Sequence, residues 1–151
     1  MNKTKKQHPI LIFDEAQLLS HPALEQIPLL MNFDMDSSTY LTLLLIGQPL
    51  LRRTLSLQHH EALRQRIAVH YHLEGLSRAE LDAYVTHQLK ASGCSQPVFD
   101  DTARQALFQA TKGIPRKVNK LAQTALRLAA NRKASIVDEA ILMDATTEAL
   151  L

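Results

Sequence analysis

The sequence is short of the residues that several common kinds of chemistry need. Of its 151 residues only Cys94 is a cysteine, which excludes an intramolecular disulfide and a cysteine-based zinc site. Glycine occurs only at positions 47, 75, 93 and 113, and none of these falls in a GxxxxGKS/T arrangement, the loop whose backbone cradles phosphates. There is no tryptophan, and no aromatic residue is interleaved among the basic residues near 116–133 to stack on bases. The longest apolar runs, residues 9–13 and 41–47, fall far short of the roughly 20 residues of a membrane-spanning helix. The polar, basic start is not followed by the apolar stretch of a signal peptide. No membrane insertion and a cytoplasmic location are therefore expected. A net charge of +2 neither demands nor excludes nucleic acid, and 46% hydrophobic with 21% charged residues is the balance of a folded globular chain.

What is present divides into two parts. Residues 9–13 (PILIF) are a continuous apolar run, which suits a parallel strand buried on both faces. Residues 40–46 (YLTLLLI) are a second such run, closed by Gly47-Gln48-Pro49. Between them Ser20 is placed to cap a helix reaching about Asn32, with a break or kink at Pro28. Residues 34–38 are polar and turn-like. Helical segments follow at 50–55 and 59–66, and the alternation in residues 67–73 (IAVHYHL) predicts a third, short strand.

From Ser77 onward the pattern is helix after helix. Ser77 and Glu80 form a capping box, and the helix they open ends near Gly93. Asp100 or Asp101 opens a second helix that runs to Lys112-Gly113. Pro115 opens a third that ends about Arg132, and the last spans about 138–149. The expected domains are 1–74, an α/β part, and 75–151, an all-α part of four helices.

Four strings carry candidate chemistry. In ILIFDEAQ the apolar strand holds Asp14 and Glu15 at its carboxyl end, where α/β sheets place their ligands. Asp14 can hold Mg2+, usually through water, and Glu15 can orient or deprotonate an attacking water. The alternative is a strand end with two solvated acids. Gln48, at the end of the neighbouring strand, can reach the same water. Arg66 precedes the third strand, from where a guanidinium can project into a neighbouring subunit's nucleotide site. Arg116 sits in the first turn of a helix, where a cation is disfavoured by the helix dipole and calls for an anion such as phosphate. For Gln48, Arg66 and Arg116 taken singly, a solvated side chain is the alternative. Arg116, Lys120 and Arg127 fall roughly on one helix face, read either as a phosphate-contacting surface for DNA or as a solvated face. His59-His60 and His70-x-His72 show no established metal-binding spacing and would meet an ion only by chance geometry.

In their order, these strings resemble the Walker B, sensor 1, arginine finger and sensor 2 elements of AAA+ ATPases. The stretches ILIFDEAQLL, LLLIGQPLLRRTL, LRQRIAVHYHLEGLSRAELDAYVTHQL and GIPRKVNKLAQTAL are similar to the ExeA-type branch, whose close relatives accompany transposases. The resemblance implies a partial P-loop NTPase sheet followed by a four-helix lid. It makes Asp14 and Glu15 the Walker B pair, Gln48 the sensor 1 residue, Arg66 the arginine finger and Arg116 the sensor 2 arginine. It implies ATP and Mg2+ as cofactors, self-association or other AAA+ subunits as partners, and a transposase with DNA, or a secretion assembly, as the context. Residues 32–37 and 73–77 look like the mobile-element relatives and favour transposition.

The family's phosphate loop has no counterpart in these 151 residues. The expectation is a truncated AAA+ ATPase unable to hydrolyse ATP by itself. The alternatives are a non-enzymatic module that binds protein or DNA, and a decayed gene fragment. In the family's sheet the phosphate-loop strand lies between the second and third strands. Its absence leaves either a gap closed by direct pairing of 40–46 with 67–73, or an edge filled by a partner chain.

Overall fold

The computed structural model describes residues 8–31 and 41–149. The turn expected at 34–38, the resemblance at 32–37 and the lead-in before His8 lie outside the described residues. The chain divides into two compact units, 1–71 and 72–151.

In the first unit, β1 (Ile10–Phe13) leads through a 3-10 turn (Ala16–Leu18) to α1 (His21–Met31), and β2 (Thr42–Leu45) follows. The strands pair in parallel, with Ile10 opposite Thr42 and Phe13 opposite Leu45. Two further backbone bonds, Ile46 N–H to Phe13 O and Ala16 N–H to Ile46 O, both 2.8 Å, carry the pairing past the strand ends. α2 (Pro49–Leu55), a 3-10 turn (Gln58–His60) and α3 (Glu61–Gln65) complete the unit. One sheet face, carrying Phe13, Leu43 and Leu45, packs on a small core of Leu24, Ile27 and Leu63. His60 is buried beside His21 and His59. Burial first, then the two neighbouring imidazoles, hold its pKa below the usual histidine range, with Glu25 acting in the opposite sense.

Three expectations are corrected. The strand expected at 67–73 does not form: the described sheet has two strands, and Val69, Tyr71 and Leu73 are 80–85% exposed. An isolated strand gains nothing without a hydrogen-bonded neighbour, so alternation alone does not make one. For the same reason, direct pairing of 40–46 with 67–73 does not occur among the described residues. β1 is not buried on both faces, since Ile10 and Ile12 are 64% and 55% exposed on the sheet's second face, which no described element covers. Finally, α1 runs unbroken through Pro28. The proline falls in the last turn and its ring is buried, which offsets the single lost hydrogen bond.

The second unit contains α4 (Arg78–Ala91), α5 (Asp101–Thr111), α6 (Pro115–Asn131) and α7 (Glu139–Ala149). Local chemistry sets their ends. Ser77 and Glu80 make the reciprocal capping box on α4. Asp100 caps α5 by accepting from Ala103 N–H at 2.7 Å. Lys112 and Gly113, both at positive φ, turn the chain out of α5, and Pro115 starts α6. The buried stripe of α6, Val118, Leu121, Ala125 and Ala129, recurs at helical spacing and meets Leu107 of α5 and Leu142 of α7 in one core. The half-buried Arg104 guanidinium reaches the Asp82 carbonyl and the Thr86 hydroxyl, binding α5 to α4.

Candidate nucleotide-hydrolysis site

Both strands of the first unit deliver polar groups at their carboxyl ends. Asp14 and Glu15 follow β1 directly, and Gln48 follows β2 by way of Ile46 and Gly47. The Glu15 backbone N–H donates to Asp14 Oδ1 at 2.8 Å, which leaves Oδ2 for a water or a cation. Glu15 itself stands at φ 53°, ψ 37°, in the left-handed region that a side chain with a Cβ seldom occupies. That conformation ends the strand abruptly and turns its carboxylate towards the loop after β2. The Gln48 amide reaches Glu15 Oε2 at 3.5 Å.

Gln17 had no role assigned from sequence, yet it joins these groups. Its Nε2 donates to Glu15 Oε2, and its Oε1 accepts from the Gln48 backbone N–H at 3.0 Å. A Cβ at position 47 would lie 2.7 Å from Gln17 Oε1 and 3.0 Å from Leu51 Cδ2, so Gly47 leaves the room that Gln17 occupies. The signal in the sequence was the spacing: a glutamine two residues after Glu15, with a side-chain-free residue at the end of the next strand.

The structure thus brings Asp14, Glu15 and Gln48 together. Arg66 is half-buried at the C-terminal end of α3, where its Nη1 donates to Ala62 O at 3.2 Å. Arg116 belongs to the second unit. It is exposed in the first turn of α6, following the Gly113-Ile114-Pro115 turn. That turn is held by backbone packing: Leu76 N–H donates to Gly113 O at 2.9 Å, and a Cβ on Gly113 would fall 1.9 Å from Leu76 O. Three other basic residues of this region are paired. Lys120 donates to Ala149 O at 2.9 Å, Arg127 pairs with Glu148, and Arg132 pairs with Asp144 at 2.6 Å.

Hard cations take oxygen ligands, so Mg2+ suits the exposed Asp14 carboxylate with one oxygen left over. ATP is different. Its phosphates need a cradle of backbone N–H groups and a lysine, and the sequence contains no such loop.

Residues 1–55 match the AAA domain family. The general secretion pathway protein A of Aeromonas hydrophila is 40% identical over 125 residues, covering 83% of this chain. The chain spans 23% of that relative's length. Among solved structures, the RuvB Holliday junction branch migration motor of Thermotoga maritima superimposes with a TM-score of 0.63 at 18% identity, over 92% of this chain and 44% of the motor. A single-residue variant of the same motor gives the same score. At that identity the likeness to RuvB is one of fold. Among the described residues no helix is long and apolar enough to cross a membrane. The AAA match, the kinship with the secretion protein and the shared fold make this chain a member of the AAA+ ATPases, of the ExeA type.

Proposed function

We propose that these residues supply the hydrolysis side of an AAA+ ATP site. In this reading Asp14 holds Mg2+ through water, Glu15 orients the attacking water, and Gln48 senses the γ-phosphate. Arg66 serves a neighbouring subunit, and Arg116 contacts phosphate from the lid. The carrying observation is the Glu15 carboxylate, which is fixed by a left-handed backbone and met by the Gln17 and Gln48 amides. A general base held this way needs no reorganisation when water arrives.

The 151 residues by themselves are not expected to turn ATP over, because no segment of them cradles the phosphates. The uncovered sheet face, with Ile10, Ile12 and Leu44 45–64% exposed, favours completion by further AAA+ sequence or a second subunit. The relative's name favours a secretion assembly over the transposase and DNA expected from sequence. The acidic partners of Arg127 and Arg132 also weaken the case for α6 as a DNA-binding face.

The test has two stages. The chain alone, with Mg2+ and a fluorescent ATP analogue, should bind no tighter than about millimolar and show no turnover. Micromolar binding that is lost in Arg116→Ala would refute the dependence on an added phosphate loop. Joined to a phosphate-loop segment of the AAA+ type, the chain should hydrolyse ATP. Glu15→Gln should then lower turnover by about 100-fold or more with nucleotide affinity nearly unchanged. Equal losses of turnover and affinity would sink the role given to Glu15.

A further inference from the structure

His21 and the adjacent pair His59-His60, 38 and 39 residues away, converge in the first unit. His21 opens α1, and His59 and His60 lie in the 3-10 turn that leads into α3. His21 Nδ1 is 2.8 Å from His60 Nε2 and 3.0 Å from His59 Nε2. One ring nitrogen from each histidine lies within 4.8 Å of the other two. An imidazole nitrogen offers either one N–H or one in-plane lone pair. His21 Nδ1 therefore cannot serve both neighbours well. As a donor it has one proton for two acceptors, and as an acceptor it has one lone pair for two donors. A cation at the centre removes the conflict, because it takes a lone pair from each ring.

We propose that His21 Nδ1, His59 Nε2 and His60 Nε2 bind one zinc ion, with water in the fourth position. Three neutral nitrogen ligands suit zinc and its late-transition neighbours and do not suit Mg2+ or Ca2+. With Zn–N bonds of about 2.0–2.1 Å, a tetrahedral site sets its nitrogens about 3.3 Å apart. The two separations from His21 Nδ1 reach that value by opening a few tenths of an ångström, and side-chain rotation of the exposed His59 brings the His59–His60 pair to the same spacing.

The rings also stand in one another's company as a cluster, with centroids 4.1–5.0 Å apart. Two are exposed and one is buried, so an ion has both an entry path and a fixed anchor. The site ties the start of α1 to the turn before α3, beside a small core built, among the described residues, around Leu24, Ile27 and Leu63. In a core that small, metal-binding free energy adds directly to folding stability. None of the three histidines belongs to the nucleotide residues, so the inference stands apart from the ATP reading.

The test is zinc titration of the full chain, after chelator treatment, in competition with a chromophoric chelator. Cobalt serves as a spectroscopic stand-in for a tetrahedral site. One zinc per chain is expected, with a thermal transition that rises on zinc addition. His21→Ala and His59→Ala alter exposed residues and spare the buried His60. Each should weaken zinc by about 100-fold or more and abolish the thermal shift. A His70→Ala, His72→Ala double variant should leave both readouts unchanged. Binding weaker than millimolar in the parent chain would overturn the proposal. So would unchanged affinity in His21→Ala and His59→Ala, or loss confined to the His70 and His72 variant.

Discussion

Replacing Gly113 with alanine is expected to destabilise the second unit severely. Gly113 lies at φ 70° and packs against the backbone of Leu76. The left-handed conformation costs an L-residue about 1–2 kcal/mol. The new Cβ would stand 1.9 Å from Leu76 O and 2.7 Å from Leu76 N, distances that no contact survives. Both neighbours are backbone, so relief requires the segments to part. That breaks the Leu76 N–H bond to Gly113 O, worth about 1 kcal/mol, and adds about 1–3 kcal/mol of strain. The sum is about 3–6 kcal/mol, set against the roughly 4–12 kcal/mol available to a unit of about 80 residues. Gly93 provides the control. It also has a positive φ, 85°, but a Cβ there meets nothing within 4 Å. Gly93→Ala should therefore cost only the conformational 1–2 kcal/mol. Urea unfolding followed by helical circular dichroism measures both. At about 1–1.5 kcal/mol per molar of urea, Gly113→Ala should lower the midpoint by roughly 2–6 M and Gly93→Ala by about 1–2 M. Equal shifts in the two variants would show that the Gly113–Leu76 approach is not as tight as argued.

Asp100→Ala should destabilise the second unit by about 1 kcal/mol at neutral pH, through loss of the α5 cap. The Ala103 N–H, then the Thr102 hydroxyl, hold the Asp100 carboxyl below its ordinary pKa. Its charge-dependent stabilisation is therefore complete above the unfolded value of about 3.9 and fades as pH falls through the lower folded value. A pH series of thermal melts should show parent and variant converging in that acid range, and a gap that widens there would contradict the assignment. Leu107→Ala removes a fully buried side chain and should cost about 2–5 kcal/mol by denaturant titration, whereas a cost under 1 kcal/mol would mean the α5–α6–α7 core is looser than described.

Much of the fold was legible because its signals act over a few residues. Ser77 with Glu80, Asp100, and Pro115 after Gly113 satisfy or forgo hydrogen bonds within one helical turn, and backbone sterics enforce them wherever the rest of the chain lies. The apolar runs before Asp14 and Gln48 likewise mark parallel strands with polar groups at their carboxyl ends. Tertiary structure alone decided the rest. Residues 67–73 alternate as a strand does but have no neighbour to pair with among the described residues, and Pro28 is tolerated because its ring is buried. The link from Glu15 through Gln17 to Gln48 needs a turn and a strand end 31 residues apart to meet. The meeting of His21 with His59 and His60 spans 38 and 39 residues. Side chains so far apart carry no mutual signal in a single sequence, because only the packing of α1 on α3 brings them within bonding distance.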